Sequence, residues 1–314
     1  MVVLCFAALA LPAGADARPV RSAIFFYPWY SNAAHDGAFT HWQQNAHAPP
    51  HDIASAFFPM RGAYSSADPR VLRAQMREIA AAGVDEVVSS WWGRGSPEAE
   101  RLSAVIRAAR SSGLRVGVQL EPYAGRTVAS IVADLATLRA LRIRDLYVYR
   151  AGDISASEWK ALSLSLSGFR VLAQTGLPGF AARGGFAGFY TYDVEVFGGA
   201  KLGRLCAEAH AVGILCAPSV GPGYDARRAT GDLRLKPRAH GRTYDSMWRA
   251  ALAADADLVT ITSYNEWSEG TQIEPARVVR GYESYDGAYG LHGRRAQDAY
   301  LRATARWTRL LRRR

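Results

Sequence analysis

The segment Leu258-Val-Thr-Ile-Thr-Ser263 runs directly into Tyr264-Asn265-Glu266-Trp267-Ser268-Glu269. The first half is β-branched and apolar, the pattern of a short buried strand. The second half delivers two carboxylates three residues apart with an indole between them. One carboxyl of such a pair can stay protonated as an acid while the other works as a base. For an isolated Glu-x-x-Glu, a solvated acidic loop is usually the better explanation. The difference here lies in the strand that precedes it and in the segments that repeat the same design upstream.

Working outward, the same alternation recurs along the chain. Ala23-Ile-Phe-Phe-Tyr-Pro-Trp-Tyr30 reads as a strand ending in aromatics, with Pro28 marking its limit. A long loop, 31–66, follows; loops of this length are commonly functional or disordered. Asp68-Pro69 is an N-cap followed by proline at the first helical turn, and Leu72, Met76 and Ile79 share one helix face up to Gly83. Val84 to Ser90 is the next strand, ending in Trp91-Trp92. Helix 98–111 leads to strand 114–120, which ends in Glu121-Pro-Tyr123. Helix 128–141, strand 145–149, a weaker helix 155–166 and strand 169–173 continue the series. A short glycine-rich connection without a clear helix leads to strand 188–192, with Tyr190 and Tyr192 at its end. Helix 200–212, strand 213–220, helix 243–254, the opening strand and a last helix, 296–311, complete the chain.

Eight strands separated by helical segments fit an open doubly wound sheet or a closed barrel. No glycine fingerprint follows the first strand, which disfavours the dinucleotide-binding open sheet. Eight units in 314 residues match a single (β/α)8 TIM barrel, whose active sites lie at the C-terminal ends of the strands. The strand ends carry Tyr27, Trp29, Trp91, Trp92, Glu121, Tyr123, Tyr190, Tyr192, Tyr224, Glu266 and Glu269. Aromatic faces pack on sugar rings, and acids handle hydroxyls and glycosidic oxygens, so this rim points to carbohydrate.

Hydrophobic residues make up 49% and charged residues 21%, proportions of a globular chain. The net charge of +10 is spread along the sequence, so no nucleic-acid partner is expected. The densest basic cluster, Arg302, Arg306, Arg309 and Arg312 to Arg314, has the spacing of the outer face of the final helix. Residues 1–17 combine an apolar run, Pro12 and Ala15-Asp-Ala17 in the manner of a signal peptide, but without a basic start. A secreted or periplasmic protein is expected, with residues 18–314 forming one catalytic domain, monomeric and without a membrane span. Cys206 and Cys216 are open to a bridge in an oxidising compartment, but two buried thiols are the expectation. His35, His41, His47 and His51 crowd the long loop at intervals that match no metal-ligand pattern, so neither metal nor cofactor is expected. His41, beside Trp42, is the histidine placed to touch a ligand.

These motifs together resemble glycoside hydrolase family 99, the endo-α-mannosidases and endo-α-mannanases. The resemblance rests on Phe26-Tyr-Pro-Trp-Tyr30, His41-Trp42, Phe58-Pro59, Tyr64-Ser-Ser66, Ser90-Trp91 and Glu121-Pro-Tyr123. It continues through Gly188-Phe-Tyr-Thr-Tyr192, Pro218-Ser-Val-Gly-Pro-Gly-Tyr224 and Ile261-Thr-Ser-Tyr-Asn-Glu-Trp-Ser-Glu-Gly-Thr-Gln272. It implies a barrel and a retaining endo-acting hydrolase of an α-linked oligosaccharide or polysaccharide. In that chemistry Glu266 would deprotonate the sugar 2-hydroxyl, giving a 1,2-anhydro sugar, and Glu269 would protonate the leaving oxygen. Glu121 would bind sugar hydroxyls, Trp91 or Trp92 would stack on a sugar, and Asn265 and Trp267 belong to the substrate-binding motif. Two features depart from the family: Trp91-Trp92-Gly replaces the Trp-Tyr-Pro of the eukaryotic enzymes, and the region between Asp153 and Phe186 is short. A non-catalytic carbohydrate-binding barrel, or a glycosidase for another α-linked glycan, would share much of this pattern.

Overall fold

The computed structural model describes residues 21–314. The signal-peptide reading of residues 1–17 lies outside the described residues. Eight strands form one parallel barrel: β1 (Arg21–Phe26), β2 (Glu86–Trp91), β3 (Arg115–Leu120), β4 (Asp145–Val148), β5 (Arg170–Gln174), β6 (Gly188–Tyr190), β7 and β8 (Leu258–Ile261). Strand β7 comes in two pieces, Leu215–Ala217 and Ser219–Val220, because Pro218 between them has no N–H for a ladder. The first piece pairs with β6 and the second with β8, so this broken strand closes the barrel. The Pro218 carbonyl still accepts the Thr260 N–H at 3.0 Å, carrying the ladder across the break.

Each strand is followed by a helix: Pro69–Ala81, Pro97–Ser111, Val128–Ala140, Ala156–Ala161, Pro178–Arg183, Ala200–Ala211, Arg242–Ala253 and Ala299–Leu311. Caps set several starts. The Asp68 carboxylate accepts the Arg70 N–H at 2.7 Å, and Thr127 and Ser155 head capping boxes with Ser130 and Glu158. The weak helix expected over 155–166 ends at Ala161. The connection expected to lack a helix carries a short one, with Pro178 in its first turn. None of these helices is long and apolar enough to cross a membrane.

Alternate residues of the strands divide the core. Ala23, Phe25, Tyr27, Val88, Tyr147, Leu172, Tyr190 and Tyr192 fill the barrel, while Ile24, Phe26 and Val87 face the helices. The floor of the barrel is polar. Tyr147 donates to Glu86 at 2.8 Å, and Arg115 pairs with the same buried carboxylate at 3.0 Å. Gly117 makes room for it, since a Cβ there would sit 2.8 Å from Glu86 Oε1. The long loop 31–66 is ordered and packed: Trp42, Ile53 and Phe57 are buried in it, and Phe58–Pro59 pairs with Ala276–Arg277. Neither this ribbon nor the one between Tyr224–Asp225 and Leu235–Lys236 was legible as a strand pair in the sequence.

The expectation of two buried thiols is corrected. Cys206 and Cys216 form a disulfide. A tight turn carries the chain from helix Ala200–Ala211 back onto β7 and brings the two Cα atoms to 5.1 Å, inside the bridging range.

Candidate active site

The loop after β8 is built by side chains that tie it to the end of β1. The Asn265 amide accepts the Tyr27 N–H at 2.8 Å and donates to the Tyr27 carbonyl at 2.9 Å. The Tyr30 hydroxyl donates to the Asn265 carbonyl and accepts the Trp267 N–H, both at 3.0 Å. Ser263 Oγ accepts the Glu266 N–H at 2.8 Å. Trp267 turns inward, donating its indole N–H to Glu274 at 2.9 Å. With the loop fixed in this way, the Glu266 and Glu269 side chains are presented at the barrel mouth.

Glu266 is 2% exposed, and its Oε1 accepts the Ser268 N–H at 3.1 Å. Glu269 is half-buried and accepts the Tyr192 hydroxyl at 3.3 Å. Glu121, one residue beyond β3, is buried and accepts Ser90 Oγ at 2.8 Å. Burial, and then the charge of Glu269, push the Glu266 carboxyl well above the usual range. Burial, and then the nearby carboxylates Glu195 and Asp193, push Glu269 up in turn. Negative charge on Glu269 therefore disfavours ionisation of Glu266. Burial raises Glu121 to about 8, opposed by the Ser90 bond and reinforced by Glu269. The buried acids Glu86 and Glu274 each have an arginine at 3.0 Å or less. Among the described residues no such ion pair forms at Glu121, Glu266 or Glu269.

Aromatics line the same mouth. Tyr27 and Tyr192 share a hydrogen bond between their hydroxyls, and Tyr27 lies 4.5 Å from the Trp29 ring. Trp29 stacks on His41 at 4.5 Å and 10°. Burial, with Arg101 adding to it, lowers His41 to about 4, so this imidazole is neutral near pH 7. Tyr190 is buried inside the barrel with a hydroxyl that bonds no other described residue. Tyr224 donates to Asp232 at 2.7 Å, and Tyr123 bonds Ser130 at 2.9 Å and Asp134. Trp92 is 37% exposed at the rim.

Three residues expected to touch substrate are placed otherwise. Trp91 is 1% exposed, edge-on to Tyr123 within the core, because it is the last residue of β2 and its side chain faces the helices. Asn265 and Trp267 are fully buried and hold the loop rather than open onto the mouth. Other residues at this end were missed. Tyr149, one residue beyond β4, lies 5.0 Å from Tyr192 and donates to Asp193 at 3.5 Å, while Gln174, the last residue of β5, donates to Asp193 at 2.7 Å. Taking the residue at the end of every strand would have found all of them. Ser268 and Gln44, joined at 3.0 Å, carry no such signal, since their meeting depends on the fold of the long loop. Among the described residues no group of three or more His, Cys, Asp or Glu is arranged to hold a metal ion.

The arrangement can present a proton donor and a proton acceptor on one loop, with a third acid to bind hydroxyls and aromatic faces for a ring. Comparison with known proteins bears on its chemistry. The chain is 31% identical to a glycoprotein endo-alpha-1,2-mannosidase-like protein of Danio rerio, over 90% of this chain and 76% of that protein. It is 29% identical to the glycoprotein endo-alpha-1,2-mannosidase of Xenopus laevis, over 91% and 76%. The solved structure of the GH99 endo-alpha-mannosidase from Bacteroides thetaiotaomicron superposes with a TM-score of 0.81 at 28% identity, covering 93% of this chain and 98% of that one. Residues 20–313 match the model of glycosyl hydrolase family 99. The chain therefore belongs to glycosyl hydrolase family 99 and is a glycoside hydrolase built on a (β/α)8 barrel.

Proposed function

We propose that the protein is an endo-acting, retaining α-mannoside hydrolase in which Glu266 and Glu269 carry the chemistry. The observation behind this reading is the trio Glu121, Glu266 and Glu269, gathered at one end of the barrel without an arginine or lysine partner among the described residues. The buried acids Glu86 and Glu274, which serve structure, each have one. The names of the similar proteins from Danio rerio, Xenopus laevis and Bacteroides thetaiotaomicron supply the sugar.

In the first step Glu269 gives its proton to the glycosidic oxygen as the C1–O bond breaks. Glu266 takes the proton of the 2-hydroxyl, and O2 bonds to C1 from the opposite face, forming a 1,2-anhydro sugar. In the second step Glu269 takes a proton from water, which attacks C1, and Glu266 returns its proton to O2 as the epoxide opens. Two inversions leave the anomeric configuration retained. Raised affinity for protons suits Glu269 to its first task. The Ser268 N–H bond steadies negative charge on Glu266. Glu121 holds sugar hydroxyls, and Trp92 and the Tyr27–Trp29–His41 group offer ring faces.

The test is hydrolysis of an α-mannan oligosaccharide alongside the same substrate lacking the 2-hydroxyl at the cleaved sugar. The deoxy substrate should bind and remain intact. Its rapid turnover would rule out attack by O2. Glu269→Gln should lower kcat by about 10²–10⁴-fold with substrate still bound. We also propose that the protein is exported, a reading that the Cys206–Cys216 disulfide supports.

A further inference from the structure

Among the described residues the Glu269 carboxyl accepts one long hydrogen bond, so its direction depends on the backbone that carries it. That backbone is held from outside the barrel. The Glu269 carbonyl accepts the Asp225 N–H at 2.8 Å. The next residue, Gly270, has φ +63°, and a Cβ there would lie 2.9 Å from the Asp225 carbonyl oxygen. Arg238 then closes the turn: its Nη2 donates to the Gly270 carbonyl at 2.9 Å and to the Gln272 carbonyl at 2.7 Å. The guanidinium is lodged among three rings, Phe57 at 4.3 Å, Tyr300 at 4.6 Å and Tyr285 at 4.8 Å. The Tyr285 hydroxyl proton is shared between the Gln272 and Glu274 carbonyls, 3.1 and 2.9 Å away, so the cage and the turn are one unit.

We infer that Arg238 is a positioning residue for Glu269, holding the turn 269–272 so that the carboxyl faces the glycosidic oxygen. The inference rests on the proposed role of Glu269 as the acid. The guanidinium suits the task, because a single NH2 group gathers two carbonyls two residues apart while the plane that carries it is fixed by aromatic rings. Lysine keeps the charge, but its ammonium sits on a flexible stem and has no planar face for the three rings to hold, so it does not fix both carbonyls in the same geometry. A shift of about 1 Å in a reacting group can cost about 10²-fold in rate.

The experiment compares kcat/KM of the wild type and Arg238→Lys on an α-linked mannan oligosaccharide and on the corresponding α-glycosyl fluoride. Fluoride leaves without needing a proton, and kcat/KM reports only the steps up to its departure. The variant should lose about 10–100-fold on the glycan and less than about 3-fold on the fluoride, with KM for the glycan little changed. Equal losses on both substrates, or wild-type activity on both, overturn the inference. Gly270→Ala strains the same turn from its other side and should give the same split, and it decides the matter where Arg238→Lys does not fold. Glu269→Gln is measured in parallel on the glycan. Full activity there removes the acid assignment itself. A dead Glu269→Gln with an unaffected Arg238→Lys removes only the role of Arg238.

Discussion

Replacing Glu274 by glutamine tests how the loop after β8 is held. Glu274 is fully buried, and its carboxylate collects four donors: Arg61 Nη1 at 2.9 Å, Gln75 Nε2 at 3.0 Å, the Tyr64 hydroxyl at 2.8 Å and the Trp267 indole at 2.9 Å. An amide of the same shape keeps one acceptor oxygen and turns the other into a donor. If the NH2 replaces Oε2, Tyr64 can rotate to accept it, and the Trp267 N–H falls back on the Tyr64 oxygen, already 3.3 Å away. If it replaces Oε1, the NH2 meets Arg61 and Gln75 donor to donor. Either way Arg61 keeps Glu78 but loses its buried counter-charge. Breaking a buried ion pair by removing one charge costs about 3–5 kcal/mol. For a domain of this size that corresponds to a Tm lower by roughly 6–10 °C. Urea denaturation followed by tryptophan fluorescence measures it, with the loss appearing in the midpoint at constant slope. Because Trp267 lies between Glu266 and Glu269, kcat should fall as well. A loss below about 1 kcal/mol would refute the view that this carboxylate anchors the loop.

Activity should decline as pH rises through about 8. Burial and neighbouring carboxylates raise Glu269, so its proton is present below that pH and lost above it. Glu195→Gln removes one of those neighbouring charges and should move the alkaline limb of kcat/KM to lower pH. Trp91→Ala should destabilise by about 3–5 kcal/mol through its cavity, whereas Trp92→Ala should leave Tm within a few degrees and raise KM. Changing both Cys206 and Cys216 to alanine releases a short loop and should cost about 2–3 kcal/mol, read as a lower urea midpoint, with kcat unaltered at permissive temperature.

Period and punctuation made the barrel legible. Each strand is a short apolar run between helical segments, and the start of the first of these helices is marked by Asp68-Pro69; such signals are local. The carboxylates were legible for the same reason, since Glu121, Glu266 and Glu269 all fall just past a strand. Trp91, the last residue of β2, and Trp92 just beyond it show where local reading stops. Adjacent residues of a strand point to opposite faces, and which face opens on the mouth depends on the register of β2 with β1 and β3, a long-range property. Glu274 lacked a reading because its four partners come from Arg61, Tyr64, Gln75 and Trp267, most of them some 200 residues away in sequence. The disulfide was missed because a spacing of ten allows either outcome; the turn between helix and strand decides it.

The break in β7 has a consequence for how the protein comes apart. A closed barrel has no free edge, but here one wall is made of two short pieces, each laddered to a single neighbour. The gap beside the first piece is bridged by Asp257, whose N–H donates to the Cys216 carbonyl and whose carboxylate accepts the Cys216 N–H at 2.8 Å. Opening therefore starts most easily along this seam, and slow amide exchange should vanish there before it does between β2 and β3. The disulfide lies two residues from Pro218 and fastens that piece of strand to its helix. Its main effect is then on the rate of unfolding: the covalent tie guards the place where the wall would otherwise part first.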